Sequence, residues 1–278
     1  MPPEAGVRIA LIGDVNGRAG RQILAARLPR LITRRRIDFV VANVENAADG
    51  FGITPELSEE ILACGVDCMT SGNHIWDKQE ILDYLPRQPR LLRPLNYPGG
   101  APGAGLYLGE TPGGVPVAVI NLMGRVFMPP CDDPFPVADR ALPGVRDKTR
   151  VVLVDMHAEA TSEKQAMGWH LDGRVTAVVG THTHVQTADE TLMPGGTAYI
   201  TDLGMTGPYE SVIGIERGLA LKKFLTGLPV RFTTARRDPR MCGVIVDADP
   251  ATGRARAIER FQMGPEAGPG EGGDAHAV

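Results

Sequence analysis

The sequence lacks any apolar run near the ~18 residues that a membrane-spanning helix needs. Its opening Met1-Pro2-Pro3-Glu4-Ala5-Gly6 leads into an apolar stretch, Val7 to Gly13, that is too short for a secretory signal and lacks its basic flank. These absences predict a cytoplasmic protein with no membrane partner. Cysteine is scarce: Cys64, Cys68, Cys131 and Cys242 match neither a CxxC redox pair nor a paired zinc knuckle, so free thiols are expected. An excess of positive charge is also missing. With 29 Lys and Arg against 33 Asp and Glu, the net charge of −4 gives none of the broad basic character that long nucleic acid requires. Small phosphorylated substrates stay open, because bound cations reverse the local potential of a carboxylate-lined site.

What is present is ordinary globular material, 43% hydrophobic and 22% charged over 278 residues, enough for one core without disulfides. Short apolar runs read as buried parallel strands at Arg8 to Gly13, Phe39 to Ala42, Cys68 to Ser71, Val117 to Asn121, Val151 to Asp155 and Ala177 to Gly180. Helices are expected between several of them. From Arg18 to Arg36 an apolar stripe of Ile23, Leu24, Leu28, Leu31 and Ile32 opposes a face of arginines. Thr54 and Pro55 open a second helix ending near Gly65, and further helices are expected over Lys78 to Leu85, Ser162 to Leu171 and Ile215 to Phe224. This alternation predicts an open α/β sheet in a single domain over 1–262. Tyr199 to Thr201, Val230 to Thr234, Val244 to Asp247 and Ala257 to Gln262 suggest an antiparallel addition or a second sheet. The Pro- and Asp-rich segment Gly124 to Pro143 reads as a long ordered loop, and 263–278 as a disordered Gly-rich tail.

Ligands of open α/β sheets bind beyond the carboxyl ends of the strands. The residues there are almost all metal-ligand types: Asp14 after the first run, Glu45 and Asn46 after the second, Asn73 and His74 after the third, His157 after the fifth, His182 and His184 after the sixth. One such residue would be a turn or capping group; five strand ends supplying them together point to a metal centre. Carboxylate, amide and imidazole donors without thiolate suit iron or manganese, with zinc or magnesium as alternatives. The candidates exceed what one catalytic ion takes, so two divalent or trivalent ions are expected, with Glu45 able to bridge them. Elsewhere the bland reading is preferred: His170 as a partly buried surface histidine, His276 without a specific role, Arg125 as a solvated loop residue, Asp132 and Asp133 as turn carboxylates. Gly13, Gly17 and Gly20 do not have the GxGxxG spacing of a dinucleotide site, which weighs against an oxidoreductase.

Gly13-Asp14 with Gly17, Gly72-Asn73-His74 and Gly180-Thr181-His182-Thr183-His184 resemble the GD, GNH and GHxH blocks of the calcineurin-like metallophosphoesterases. More narrowly, Asn43-Val44-Glu45-Asn46-Ala47, Ser71 to Trp76, Arg93-Pro94-Leu95-Asn96-Tyr97 and Asp202-Leu203-Gly204-Met205 look like the bacterial YmdB-like subfamily. The resemblance spans most of residues 7–262. It implies a four-layer α/β/β/α sandwich and phosphodiesterase activity on 2′,3′-cyclic nucleotides through a metal-bridging hydroxide. Asp14-Val15-Asn16 and Glu45 depart from the broad family, which has Asp-x-His and a bridging Asp. The subfamily resemblance accounts for both: Asp14, Glu45, Asn46 and His184 would hold one ion and Glu45, Asn73, His157 and His182 the other. Asn16 would then be a turn residue and His74 the acid. Rival readings are a regulatory or scaffold protein with a weak phosphatase site, and a phosphomonoesterase or phosphoprotein phosphatase. Oligomeric state is open, a homo-oligomer included.

Overall fold

The computed structural model describes residues 6–265. In chain order the first part holds β1 (Val7–Ile12), β2 (Asp14–Val15), α1 (Gly17–Arg35), β3 (Phe39–Asn43), α2 (Pro55–Ala63), β4 (Cys68–Thr70) and the short α3 (Ile81–Tyr84). The middle holds β5 (Leu106–Glu110), β6 (Pro116–Met123), α4 (Pro134–Arg146), β7 (Val151–His157), α5 (Thr161–Leu171), β8 (Ala177–Thr181), β9 (Thr191–Leu192) and β10 (Ala198–Ile200). The chain then returns through β11 (Met205–Pro208), α6 (Arg217–Thr226), β12 (Pro239–Ala248) and β13 (Ala255–Met263).

These strands form two sheets. The seven-stranded sheet runs β2-β11-β12-β1-β3-β4 with β13 on β12, and the six-stranded sheet runs β5-β6-β7-β8-β10-β9. β1, β3 and β4 are parallel, as are β6, β7, β8 and β10. Successive side chains of a strand point to opposite faces, so a wholly apolar strand feeds two cores at once. Val7, Ile9 and Leu11 of β1, Phe39 and Val41 of β3, Val117 and Val119 of β6, and Val151 and Leu153 of β7 fill the space between the sheets. Their neighbours turn outward: Ala10, Ile12, Val40 and Ala42 meet α1 residues Ile23, Leu24, Leu28 and Leu31, while Ala118, Ile120, Val152 and Val154 meet α4 and α5 residues such as Leu142 and Met167. The result is the expected α/β/β/α sandwich with three apolar layers.

Some expectations need correcting. Gly124 to Pro143 is only partly loop: Asp133 accepts from the Phe135 amide at 3.1 Å and caps α4, which starts on Pro134 and continues through Pro143. Asp133 also pairs with Arg125 at 2.9 Å, so Asp133 is a helix cap and ion-pair partner where a solvated turn carboxylate was expected. Val230 to Thr234 forms no strand; its one sheet-like contact is a bridge from Thr234 to Ile215. The strand at Ala198–Ile200 lies parallel to β8, whereas β12 and β13 are the antiparallel pair. Met263 pairs with Met241 at the end of β13, and 266–278 of the expected tail lie outside the described residues. Among the described residues, no helix is long and apolar enough to cross a membrane.

Gly13 shows how tightly the rim is built, since a β-carbon there would lie 1.9 Å from the Gly204 carbonyl oxygen. Two backbone segments would have to separate. Gly13→Ala should therefore lower unfolding stability by about 3 kcal/mol or more, read from urea denaturation. A change below ~0.5 kcal/mol, the scale of a neutral surface substitution, would show that the two segments can part.

Candidate metal centre

The strand alternation that fills the inter-sheet layer also delivers its polar end. Phe39 and Val41 are followed on the same face by Asn43, Val151 and Leu153 by Asp155 and His157, and Ala177 and Val179 by Thr181. At the carboxyl rim these residues form a buried network: Asp155 accepts from Asn43 Nδ2 at 3.1 Å, from Thr181 Oγ1 at 2.7 Å and from the Thr70 hydroxyl. With its single proton donated to Asp155, the Thr181 hydroxyl offers an acceptor to His157 Nδ1, 2.9 Å away. His157 therefore carries its proton on Nδ1 and aims the Nε2 lone pair away from the core. Fixing a ligand imidazole through its other nitrogen in this way is characteristic of metal sites.

That lone pair meets other acceptors. Nε2 of His157 lies 3.0 Å from Glu45 Oε1, 3.2 Å from Asn73 Oδ1 and 3.1 Å from His182 Nδ1. Ligand atoms of Glu45, His157 and His182 all lie within 4.8 Å of one another. Beside them, His184 Nε2 stands 3.3 Å from Asn46 Oδ1 and 3.7 Å from Asp14 Oδ1. The Asn46 amide is oriented by donating to the Gly50 carbonyl at 2.9 Å, which turns its oxygen to His184. Asp14 Oδ1 and Glu45 Oε1 are buried without a hydrogen-bond partner. Such orphaned acceptors are costly unless a cation satisfies them. Metal bonds of about 2.1 Å place neighbouring donors roughly 3.0–3.4 Å apart, the spacing of the contacts among Glu45, Asn73, His157 and His182 and of His184 with Asn46, while His184 and Asp14 stand 3.7 Å apart. The donor set fits a metal.

The electrostatics agree. Burial pushes the Glu45 carboxyl up, but His157 and the His74 amide outweigh it and hold it at about 2. Burial, reinforced by His157, pushes His182 down to about 3, so its lone pair is available at neutral pH. Asp14 is pushed up to about 6, chiefly by burial, against the pull of His184 and His157. His157 moves upward because Glu45 overcomes the effect of burial. A proton held between Glu45 and His157 would take the place of a cation, so metal would bind in competition with protons.

His182 and His184 both adopt positive φ, +95° and +64°, a conformation that costs free energy for residues with a β-carbon. A buried ion pair holds the turn in that shape. Lys164 of α5, 1% exposed, reaches Asp202 at 2.7 Å and Thr183 Oγ1 at 3.1 Å, while Asp202 also accepts from the Thr183 amide and hydroxyl. Glu159 takes the other nitrogen of His182, Nε2, at 3.1 Å, leaving Nδ1 to the cluster. His184 is anchored by Nδ1 to the Ile213 carbonyl at 2.9 Å. Sequence reasoning missed Asp155, Thr181, Glu159, Lys164 and Asp202. Thr181 and Asp202 stood in the family motifs without a role, and for Asp155 the signal was a polar residue continuing the inward face of an apolar strand.

Asn16 is buried at the N-cap of α1 with its Oδ1 unpartnered, but its side chain makes no capping bond. His74 stands apart from the donor cluster. Its amide donates to Glu45 Oε2 at 3.0 Å, and its Nδ1 pairs with Asp77 at 2.7 Å. The ring lines a cleft of about 270 Å³ with Glu45, Asn46, His182 and His184, and the edge of Phe51 packs on it at 5.0 Å. His170 is held far from this cleft by Asp139 and the ring of Phe135.

A sequence model of the YmdB-like proteins matches residues 10–261. A Bacillus subtilis (strain 168) relative, named 2′,3′-cyclic-nucleotide 2′-phosphodiesterase, is 49% identical over 92% of this chain and 96% of its own length. Two crystal structures are similar throughout: a hypothetical protein from Thermus thermophilus (43% identity, TM-score 0.87, 94% of this chain and 100% of the other) and a novel phosphatase from Mycoplasma pneumoniae (32%, TM-score 0.88, 94% of each). Motifs, two-sheet architecture and similarity across nearly the whole length agree: the chain belongs to the YmdB-like family.

Proposed function

We propose that this protein is a cytoplasmic metal-dependent phosphodiesterase that opens 2′,3′-cyclic nucleotides to nucleoside 3′-phosphates. The observation that carries this reading is the convergence of lone pairs from Glu45, Asn73, His157 and His182 beside Asp14, Asn46 and His184. The similarity to a named 2′,3′-cyclic-nucleotide 2′-phosphodiesterase supplies the substrate. Asp14, Glu45, Asn46 and His184 would hold one ion, and Glu45, Asn73, His157 and His182 a second, with Glu45 shared. The mixed oxygen and nitrogen donors favour iron or manganese over a thiolate-seeking metal. When bound, such ions lower the pKa of water and neutralise charge on phosphoryl oxygens.

The chain's own part is positioning and proton transfer. Glu159, the Thr181–Asp155 pair and the Ile213 carbonyl fix the three imidazoles before substrate arrives, so little reorganisation accompanies reaction. In the overall step water adds to phosphorus, the bond from phosphorus to O2′ breaks, and O2′ takes a proton. His74 would give it, a role supported by Asp77 occupying Nδ1, which leaves Nε2 for the cleft. Phe51 limits the rotation of the ring.

The substrate reading is tested with purified, metal-loaded protein on a panel of nucleotides. A 2′,3′-cyclic nucleotide should be hydrolysed with higher kcat/KM than its 3′,5′ isomer, giving the 3′-phosphate. Equal or reversed efficiencies would assign the cleft to another phosphoester. The role of His74 is tested through the leaving group. General acid assistance is worth about a hundredfold to ten-thousandfold and matters most for a poor leaving group. His74→Ala should keep its metal by elemental analysis, lose activity on that scale with the ribose ester, and lose far less with a nitrophenyl ester. Equal losses on both would make His74 a phosphate-orienting residue.

A further inference from the structure

The cleft is not the largest concavity. A groove of about 890 Å³, more than three times the volume of the cleft, begins where the cleft ends, and His184 and Ile213 line both. Ile213 forms the saddle between them with φ +47°, a strained value for a β-branched residue, and its side chain stays half exposed. One wall of the groove is α1, which carries six arginines and no acidic residue within a chain of net charge −4. Arg27, Arg30 and Arg34 recur at helical spacing and line the groove with Arg35. Like charges on one helical face repel, and Arg27 is pushed downward by burial and then by Arg30 and Arg34. The opposite wall brings Arg260, paired with Glu190, and Glu259, paired with Arg35. Apolar surface from Val185, Phe261 and Met263 adjoins the arginines.

A cationic groove with apolar surface, continuous with a site for a terminal phosphate, matches a single-stranded nucleic acid: arginines meet its phosphates and apolar groups its bases. We propose that the groove holds the nucleotides upstream of the cyclic end, so that the substrate class includes short single-stranded RNA ending in a 2′,3′-cyclic phosphate. This rests on the reading of the cleft as a cyclic-phosphate site. The 5′ oxygen of a nucleotide whose cyclic phosphate sits at the cluster is the point from which a longer chain continues, over Ile213 and along α1. The basic surface is local, which agrees with the absence of the broad basic character that long duplexes require. The reaction supplying such ends is RNA cleavage by transesterification: the 2′ oxygen attacks its neighbouring phosphorus, the 5′ oxygen of the next nucleotide leaves and takes a proton, and the cyclic phosphate remains.

The test compares a 2′,3′-cyclic mononucleotide with a tetranucleotide carrying the same end, using metal-loaded full-length protein. Binding of the matching 3′-phosphorylated tetranucleotide is followed in parallel by fluorescence anisotropy. The tetranucleotide should show a KM lower by about tenfold, an advantage that falls roughly sevenfold between 50 and 200 mM salt if about two phosphates of the single strand are neutralised. Arg30→Glu with Arg34→Glu should erase that advantage and weaken tetranucleotide binding to a similar degree. Equal KM values for the two substrates, or an advantage indifferent to charge reversal, would overturn the proposal. So would a glutamate-rich peptide of equal charge binding as tightly as the RNA. If no cyclic phosphate is cleaved but the tetranucleotide still binds in an arginine-dependent way, the groove stands and the reading of the cleft fails.

Discussion

The contact between Glu45 and His157 sets the terms for the rest of the site. A carboxylate oxygen and an imidazole nitrogen stand 3.0 Å apart with both side chains buried, and the hydroxyl of Thr181 assigns the imidazole proton to the far nitrogen. Two lone pairs so placed repel unless a positive charge lies between them, and burial removes the water that would screen them. The other donors crowd around this pair instead of spreading apart. The demand for a positive charge between them, proton or metal, is thus a property of the fold: the turn after β3 supplies the carboxylate from one sheet, β7 the imidazole from the other, and the apolar layer between the sheets fixes their separation.

Holding this arrangement costs stability elsewhere. His182 and His184 occupy left-handed backbone, Lys164 and Asp202 are removed from water, and Asp155 is buried with three donors around it. A buried ion pair adds little net stability, yet removing one partner costs about 3–5 kcal/mol because the other charge is left unpaired. The pair is better understood as a clamp on the His182–His184 turn than as a source of stability. The same economy is visible at His74, where Asp77 and Phe51 define the ring's direction without burying it.

Much of this was legible in the sequence because apolar strands buried on both faces leave an unmistakable boundary where polarity returns. Asp14, Glu45, Asn46, Asn73, His157, His182 and His184 all stand at or just beyond such boundaries, and the structure brings them to one rim. The alternation within those runs, which divides Val151 and Leu153 from Val152 and Val154, was hidden because every position is apolar. Asp155 could not be separated from a strand terminus, and nothing local distinguishes Lys164 from the other polar positions of its helix. Both depend on a partner far along the chain. The helix at Pro134–Arg146 was obscured by its prolines, although Asp133 and Pro134 form an ordinary cap and first turn. Phe232, Thr233 and Thr234 have strand-like composition but line the cleft instead of joining a sheet.

Under the proposed function, one shared carboxylate and two sets of donors would bind a pair of ions. Anomalous diffraction from crystals of the manganese-loaded protein, recorded on both sides of the metal absorption edge, addresses it without reference to turnover. Two peaks should appear about 3.5–4 Å apart, one beside Asp14, Asn46 and His184 and one beside Asn73, His157 and His182, with Glu45 touching both. A single fully occupied peak, or two peaks without Glu45 between them, would contradict the account.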